Sequence, residues 1–69
     1  MAKLESPIAG KVFKINVKVG QVVTEDDELF IIEAMKMENA VFFDPGTVKE
    51  LLVKIGDRVQ EGDVLAVIE

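Results

Sequence analysis

One lysine near the middle of the chain has unusual neighbours. Lys36 lies between Met35 and Met37, with Glu33 and Glu38 just beyond them. A lysine amine that loses its proton becomes a nucleophile. The commonest other general bases and nucleophiles are missing, because the chain has no histidine, cysteine or tyrosine. We therefore predict no catalytic residue, and we single out Lys36 as the candidate functional group.

Local folding rules do not explain the residues around Lys36. The simplest structure is a hairpin that pairs Ala34 with Met37 and Glu33 with Glu38, leaving Met35 and Lys36 in a two-residue turn. Such turns favour Asn-Gly, because both central residues need positive φ, which costs other residues roughly 1–2 kcal/mol each. Glu33 opposite Glu38 adds a like-charge contact. The predicted strain indicates a functional site.

The two methionines have an alternative interpretation as flexible residues that fill gaps in a core. The tip of a hairpin cannot easily bury two methionines that flank a lysine. We therefore predict that Met35 and Met37 are exposed, where methionine suits an adaptable recognition surface.

An internal repeat places this hairpin between two similar halves. Gly10 aligns with Gly46, an offset of 46 − 10 = 36 residues, and no insertion or deletion interrupts the alignment. The same offset gives further identical pairs: Val12/Val48, Val17/Val53, Lys18/Lys54, Gly20/Gly56, Val23/Val59, Glu25/Glu61, Asp27/Asp63, Leu29/Leu65, Ile32/Ile68 and Glu33/Glu69.

Each half has the pattern of β-strands. Apolar residues alternate with polar ones over residues 13–19 and 51–55, and short apolar runs cover 29–32 and 64–68. We predict an all-β fold, a flattened β-barrel or sandwich of two antiparallel four-stranded sheets related by a pseudo-twofold axis. The turns differ at one point, where Asp26 stands in place of Gly62. We predict that Asp26 adopts the left-handed conformation at some cost.

The composition excludes several classes of function. A net charge of −5 repels phosphate backbones, so we predict no binding to nucleic acid. No uncharged stretch approaches the roughly 18 residues of a membrane span, and the first residues lack the apolar run of a signal peptide. The acidic residues 25–28 could bind calcium, although a solvated acidic turn is the commoner explanation, and we predict no metal site. We expect one domain over residues 1–69, cytoplasmic and not inserted in a membrane.

The stretch from Glu33 to Glu38 resembles the Ala-Met-Lys-Met signature of biotinyl domains, as found in biotin carboxyl carrier proteins. The similarity covers nearly the whole chain. It extends to residues that follow the family's pattern in both halves: Ser6, Pro7, Gly10, Val17, Gly20, Gly56, Val59, Gly62, Asp63, Val64 and Leu65.

This resemblance implies a carrier without catalysis of its own. A biotin protein ligase would join biotin to Lys36 through an amide, recognising Glu33, Ala34, Met35, Met37 and Glu38. The biotin would then carry a carboxyl group between the biotin carboxylase and carboxyltransferase subunits of a carboxylase or decarboxylase. The chain departs from the family's usual pattern at Asp26 and at residues 42–43.

Two alternatives remain open at this point. Lipoyl domains share the fold and carry acyl or aminomethyl groups, but their modified lysine usually follows an aspartate and lacks the paired methionines. The second alternative is an unmodified β-sandwich that serves in assembly.

Overall fold

The protein is represented by a computed structural model, and the structure describes residues 2–69. Within these residues the chain forms eight β-strands and no helix. A helix long and apolar enough to cross a membrane is therefore absent from this part of the chain. The strands are β1 (Ala2–Glu5), β2 (Gly10–Ile15), β3 (Val22–Val23), β4 (Phe30–Ala34), β5 (Met37–Val41), β6 (Gly46–Leu51), β7 (Arg58–Val59) and β8 (Val64–Ile68).

The strands form two four-stranded sheets that pack as a sandwich. One sheet has the order β1-β8-β6-β3 and the other β5-β4-β2-β7, and every pair of neighbouring strands is antiparallel. The sheets do not close into a continuous barrel, because each keeps its own edge strands. The core between them contains fully buried side chains from both halves, the largest being Phe30, Leu29, Ile32 and Leu65. The predicted all-β sandwich of two antiparallel four-stranded sheets is confirmed.

Corresponding residues of the two halves also make corresponding hydrogen bonds. The Gly20 amide donates to the Val48 carbonyl at 2.7 Å, and the Gly56 amide, 36 residues later, donates to the Val12 carbonyl at the same distance. Strands β1 to β4 therefore correspond to β5 to β8, and each sheet contains two strands from each half. Because each sheet takes strands from both halves, the two halves share one core.

The strand predicted over residues 13–19 is shorter than expected. It ends at Ile15, and the register of β2 against β4 shifts between Val12 and Lys14. This β-bulge leaves Phe13 43% exposed, whereas strict alternation would have buried it. Residues 18–21 form a turn instead of continuing the strand. The second half behaves in the same way, because β6 ends at Leu51 although the alternation continues to residue 55.

The expectation for Asp26 was wrong. Gly62 has φ of +93°, but Asp26 is not among the residues with positive φ. Both turns have the same two hydrogen bonds. The Asp27 amide donates to the Thr24 carbonyl at 3.1 Å and the Thr24 amide to the Asp27 carboxylate at 2.9 Å. In the second half the Asp63 amide donates to the Gln60 carbonyl at 3.0 Å and the Gln60 amide to the Asp63 carboxylate at 2.7 Å. A turn of this span forms either with positive φ at its third residue or without it. The aspartate selects the second form and avoids the left-handed strain.

Candidate functional site

The candidate lysine lies at the tip of the β4–β5 hairpin. Ala34 pairs with Met37 and Glu33 with Glu38, as predicted. The two turn residues have positive φ, 52° for Met35 and 64° for Lys36, which is the pattern of a type I′ turn. They are the only non-glycine residues with positive φ in the part of the chain that the structure describes. The predicted strain is therefore present at this tip.

All three residues at the tip are open to solvent. Met35 is 94% exposed and Met37 is 65% exposed, while Lys36 between them is also exposed. The methionines do not fill the core, so the alternative interpretation of their role is wrong. The Lys36 amine is accessible from outside the sandwich, which is the one property that an acyl acceptor needs before an enzyme can modify it. The role of the neighbouring residues in recognition stays a prediction.

A close approach of two strands fixes the base of the hairpin. A Cβ atom at Gly10 would lie 2.5 Å from the Glu33 carbonyl oxygen and 2.9 Å from Cγ2 of Ile32. Both distances are shorter than real Cβ contacts, so only glycine lets β2 lie this close to β4. The strand that carries Glu33 is thereby held against the body of the sheet two residues before the tip.

Asn39 is a second anchor, which the sequence did not reveal. Its side-chain Nδ2 donates to the Ile32 carbonyl at 3.3 Å, across to β4, and to the Met37 carbonyl at 3.2 Å, along β5. The bond to Ile32 joins the two arms of the hairpin, and the bond to Met37 ties the same side chain to the strand just below the tip. Asparagine is uncommon in strands, so its presence between Glu38 and Ala40 was the available signal.

A row of charges crosses the outer face of the sheet below the tip. Cross-strand partners in register are Glu38 with Glu33, Glu33 with Lys11, and Lys11 with Arg58. All four side chains are exposed. The like-charge contact of Glu33 with Glu38 was predicted, but Lys11 on the other side of Glu33 supplies an opposite charge that the sequence alone did not place there.

The other side of the hairpin borders a shallow, largely apolar groove of about 520 Å³. Its walls include Ile8 and Ala9 on one side and Met35 and Met37 on the other. The buried Ser6 hydroxyl holds this loop by donating to the Ile8 carbonyl at 2.6 Å. The groove is open, and the tip as a whole presents a group outward instead of enclosing a substrate.

The acidic turn at residues 25–28 does not assemble a cation site. Among residues 2–69 no three acidic side chains come together in a group that could hold a metal ion. Within the turn, the Asp27 carboxylate accepts the Thr24 amide.

Comparison with known proteins supports the resemblance noted above. The family model described as "Biotin-requiring enzyme" matches residues 2–68. The chain is 45% identical over 67 residues to the human mitochondrial propionyl-CoA carboxylase alpha chain, covering 96% of this chain but 9% of that protein. It is 41% identical over 66 residues to a biotin carboxyl carrier protein of Streptococcus mutans, covering 94% of this chain and 51% of that protein.

The fold has a close counterpart among solved structures. The urea carboxylase of Kluyveromyces lactis superposes with a TM-score of 0.89 and 40% identity, covering 99% of this chain and 6% of the carboxylase. The match therefore concerns one small part of a much longer protein. Together with the matched family model and the lysine hairpin, it leads to one conclusion. The chain belongs to the biotin/lipoyl attachment family and is a biotinyl domain.

Proposed function

We propose that Lys36 is the residue to which biotin is attached and that the domain carries carboxyl groups for a larger biotin-dependent carboxylase or decarboxylase. The observation that supports this most is the exposed, strained tip. Met35 and Lys36 both adopt positive φ, although neither residue favours that conformation. Strained backbone conformations of this kind cluster at functional sites.

The chain's own part in attachment is that of a nucleophile. A biotin protein ligase would remove a proton from the Lys36 Nζ, which would then attack the acyl carbon of biotinyl adenylate. As the amide bond forms, Nζ would lose a second proton to a base of the ligase, the bond from the acyl carbon to the AMP oxygen would break, and AMP would leave. Met35, Met37, Glu33, Ala34 and Glu38 would contact the ligase while the rigid hairpin base holds the amine in place.

Once attached, biotin supplies a ureido nitrogen that can accept and release a carboxyl group. The domain would present this group to biotin carboxylase and carboxyltransferase subunits or domains in turn. Tethering raises the local concentration of a group at each site that it can reach, which is the physical advantage of a covalent carrier. The named relatives include carboxylases, which supports such partners. A cytoplasmic location remains a prediction from the sequence.

A measurement of intact mass distinguishes attachment of biotin from attachment of lipoate. The domain is co-expressed in one strain with a biotin ligase and in another with a lipoate ligase, and intact mass is measured in each. We expect one biotinyl group in the first strain and no adduct in the second. A lipoyl adduct would support the acyl-carrier alternative, and a folded domain without any adduct would support the assembly module.

A further inference from the structure

The core-facing side of the lysine hairpin extends beyond the core. Ile32 on β4 and Val41 on β5 are buried between the sheets. Side chains two residues apart in a strand lie on the same face, so Ala34 and Asn39 share that face nearer the tip. Both are only partly buried, and Met37, two residues further along β5, is 65% exposed. The inner face of the hairpin is therefore partly uncovered near its tip.

The groove of about 520 Å³ lies against this uncovered face, because Ala34, Met37 and Asn39 line it. Ile8 and Ala9, between β1 and β2, line it as well. Ligand sites in proteins are concave and mostly apolar, with a few polar groups and a volume of roughly 300–1,000 Å³. The groove has the size and the chemical character of such a site.

The polar groups of the groove are hydrogen-bond acceptors. Asn39 uses both hydrogens of Nδ2 on the carbonyls of Ile32 and Met37, and its Oδ1 accepts no hydrogen bond within residues 2–69. Glu61 also lines the groove, and its exposed carboxylate forms no ion pair in the described part of the chain. The groove therefore suits a ligand that combines an apolar body with hydrogen-bond donors.

We propose that the groove binds the ring system of the biotin attached to Lys36 of the same chain. This inference rests on the proposed function. Biotin has an apolar thioether ring fused to a cyclic urea with two N–H donors. The thioether ring would pack against Ile8 and Met37, and the urea N–H groups would donate to Asn39 Oδ1 and to the Glu61 carboxylate. The dithiolane ring of lipoate has no donor, so the two acceptors favour biotin.

The tether lets a shallow groove act as a site. Met35 and Met37, on either side of Lys36, both line the groove, so the arm begins at its edge. A short flexible link gives an effective concentration on the order of 1 mM, so a groove with a dissociation constant of about 1 mM would hold the ring about half of the time. Because the groove is open, the ring can leave it for an active site elsewhere.

The test compares NMR spectra of the biotinylated and unmodified domain, with the isoleucine and alanine methyl groups labelled with ¹³C. The control Lys36→Gln removes the charge of the lysine without adding a ring. Only the biotinylated domain should show nuclear Overhauser effects from the biotin ring protons to the methyl groups of Ile8 and Ala9, with shifted resonances for both. Shifts confined to residues 35–37, without those Overhauser effects, would overturn the proposal.

The repeat supplies a matched pair of variants for the acceptor. Glu61 lines the groove, whereas its counterpart Glu25 is also exposed but does not. Glu61→Arg and Glu25→Arg both change the net charge of the unmodified chain from −5 to −3, since each replaces one negative charge with a positive one. Biotinylated Glu61→Arg should lose at least half of the Overhauser intensity between the ring and Ile8, because arginine has no acceptor. Biotinylated Glu25→Arg should keep it.

Thermal unfolding and intact mass show that each variant is folded and carries one biotin. Equal Overhauser intensity in Glu61→Arg and the wild type, or an equal loss in Glu25→Arg, would overturn the site as assigned. Biotin on Lys36 without ring contacts would overturn this inference alone. Absence of biotin from wild-type Lys36 would instead overturn the proposed function.

Discussion

At the scale of single residues, the site is two turn residues held against their own preference. Positive φ at Met35 and at Lys36 costs roughly 1–2 kcal/mol each, so the tip costs about 2–4 kcal/mol in total. Both the register of the hairpin and its strain followed from sequence, because the pairing of Ala34 with Met37 left no other two-residue turn. The bonds of Asn39 did not follow, since they depend on which carbonyls the folded hairpin brings within reach of its amide.

The strain can be tested by replacing Met35 with glycine. Met35→Gly should raise the free energy of unfolding by roughly 0.5–1 kcal/mol, because glycine adopts positive φ without penalty but also makes the unfolded chain more flexible. The same variant should be biotinylated more slowly if Met35 contacts the ligase. The control is Met37→Gly, since Met37 lies in a strand without positive φ and should lose stability. Urea denaturation measures both, and equal destabilisation would refute the strain.

At the scale of elements, each sheet brings one pair of strands unusually close. Gly10 lies against the Glu33 carbonyl, and its counterpart Gly46 lies against the Glu69 carbonyl, where a Cβ would be 2.8 Å away. The repeat was visible in sequence, but the contact was not, because glycine also occurs in turns. The bulge that exposes Phe13 could not be predicted from the sequence either. Alternation predicts which side chains face the core only while the register stays regular.

The close approach at Gly10 links stability to the hairpin. Gly10→Ala should lower the free energy of unfolding by about 1–3 kcal/mol, as overpacking does, and should shift the amide resonances of residues 33–38. Gly46→Ala makes a similar clash in the other sheet, so it should cost a similar amount while leaving those resonances in place. Denaturation and two-dimensional NMR provide the two readouts. Equal effects of both variants on the hairpin would contradict this assignment.

The turn at Asp26 gives a prediction opposite to what the repeat suggests. Because Asp26 does not have positive φ, Asp26→Gly should lower the free energy of unfolding by roughly 0.4–1 kcal/mol through the greater freedom of the unfolded chain. Gly62→Asp should cost roughly 1–2 kcal/mol, because φ there is +93°. Thermal or urea unfolding measures the change in stability that each of the two substitutions causes. Stabilisation by Asp26→Gly would show that the aspartate is strained after all.

At the scale of the whole molecule, the two repeated halves form the sandwich that carries the lysine hairpin. A chain of 69 residues is stable by only about 3–10 kcal/mol at roughly 0.05–0.15 kcal/mol per residue, so the cost of the tip is a large share of its stability. Burial of apolar side chains from both halves in the common core offsets that cost. The fold class could be predicted because the repeat and the apolar runs are regular. The charge row from Glu38 to Arg58 could not be predicted, because it depends on how four strands align.

The most direct test of the account is the site of modification. Wild type and Lys36→Arg are incubated with biotin protein ligase, biotin and ATP, and each is analysed by intact mass and peptide mapping. Among the seven lysines, we expect one biotinyl group, on Lys36, in the wild type and none in the variant, although arginine keeps the charge and the fold. Biotin on another lysine, or an equal adduct on Lys36→Arg, would contradict the central claim.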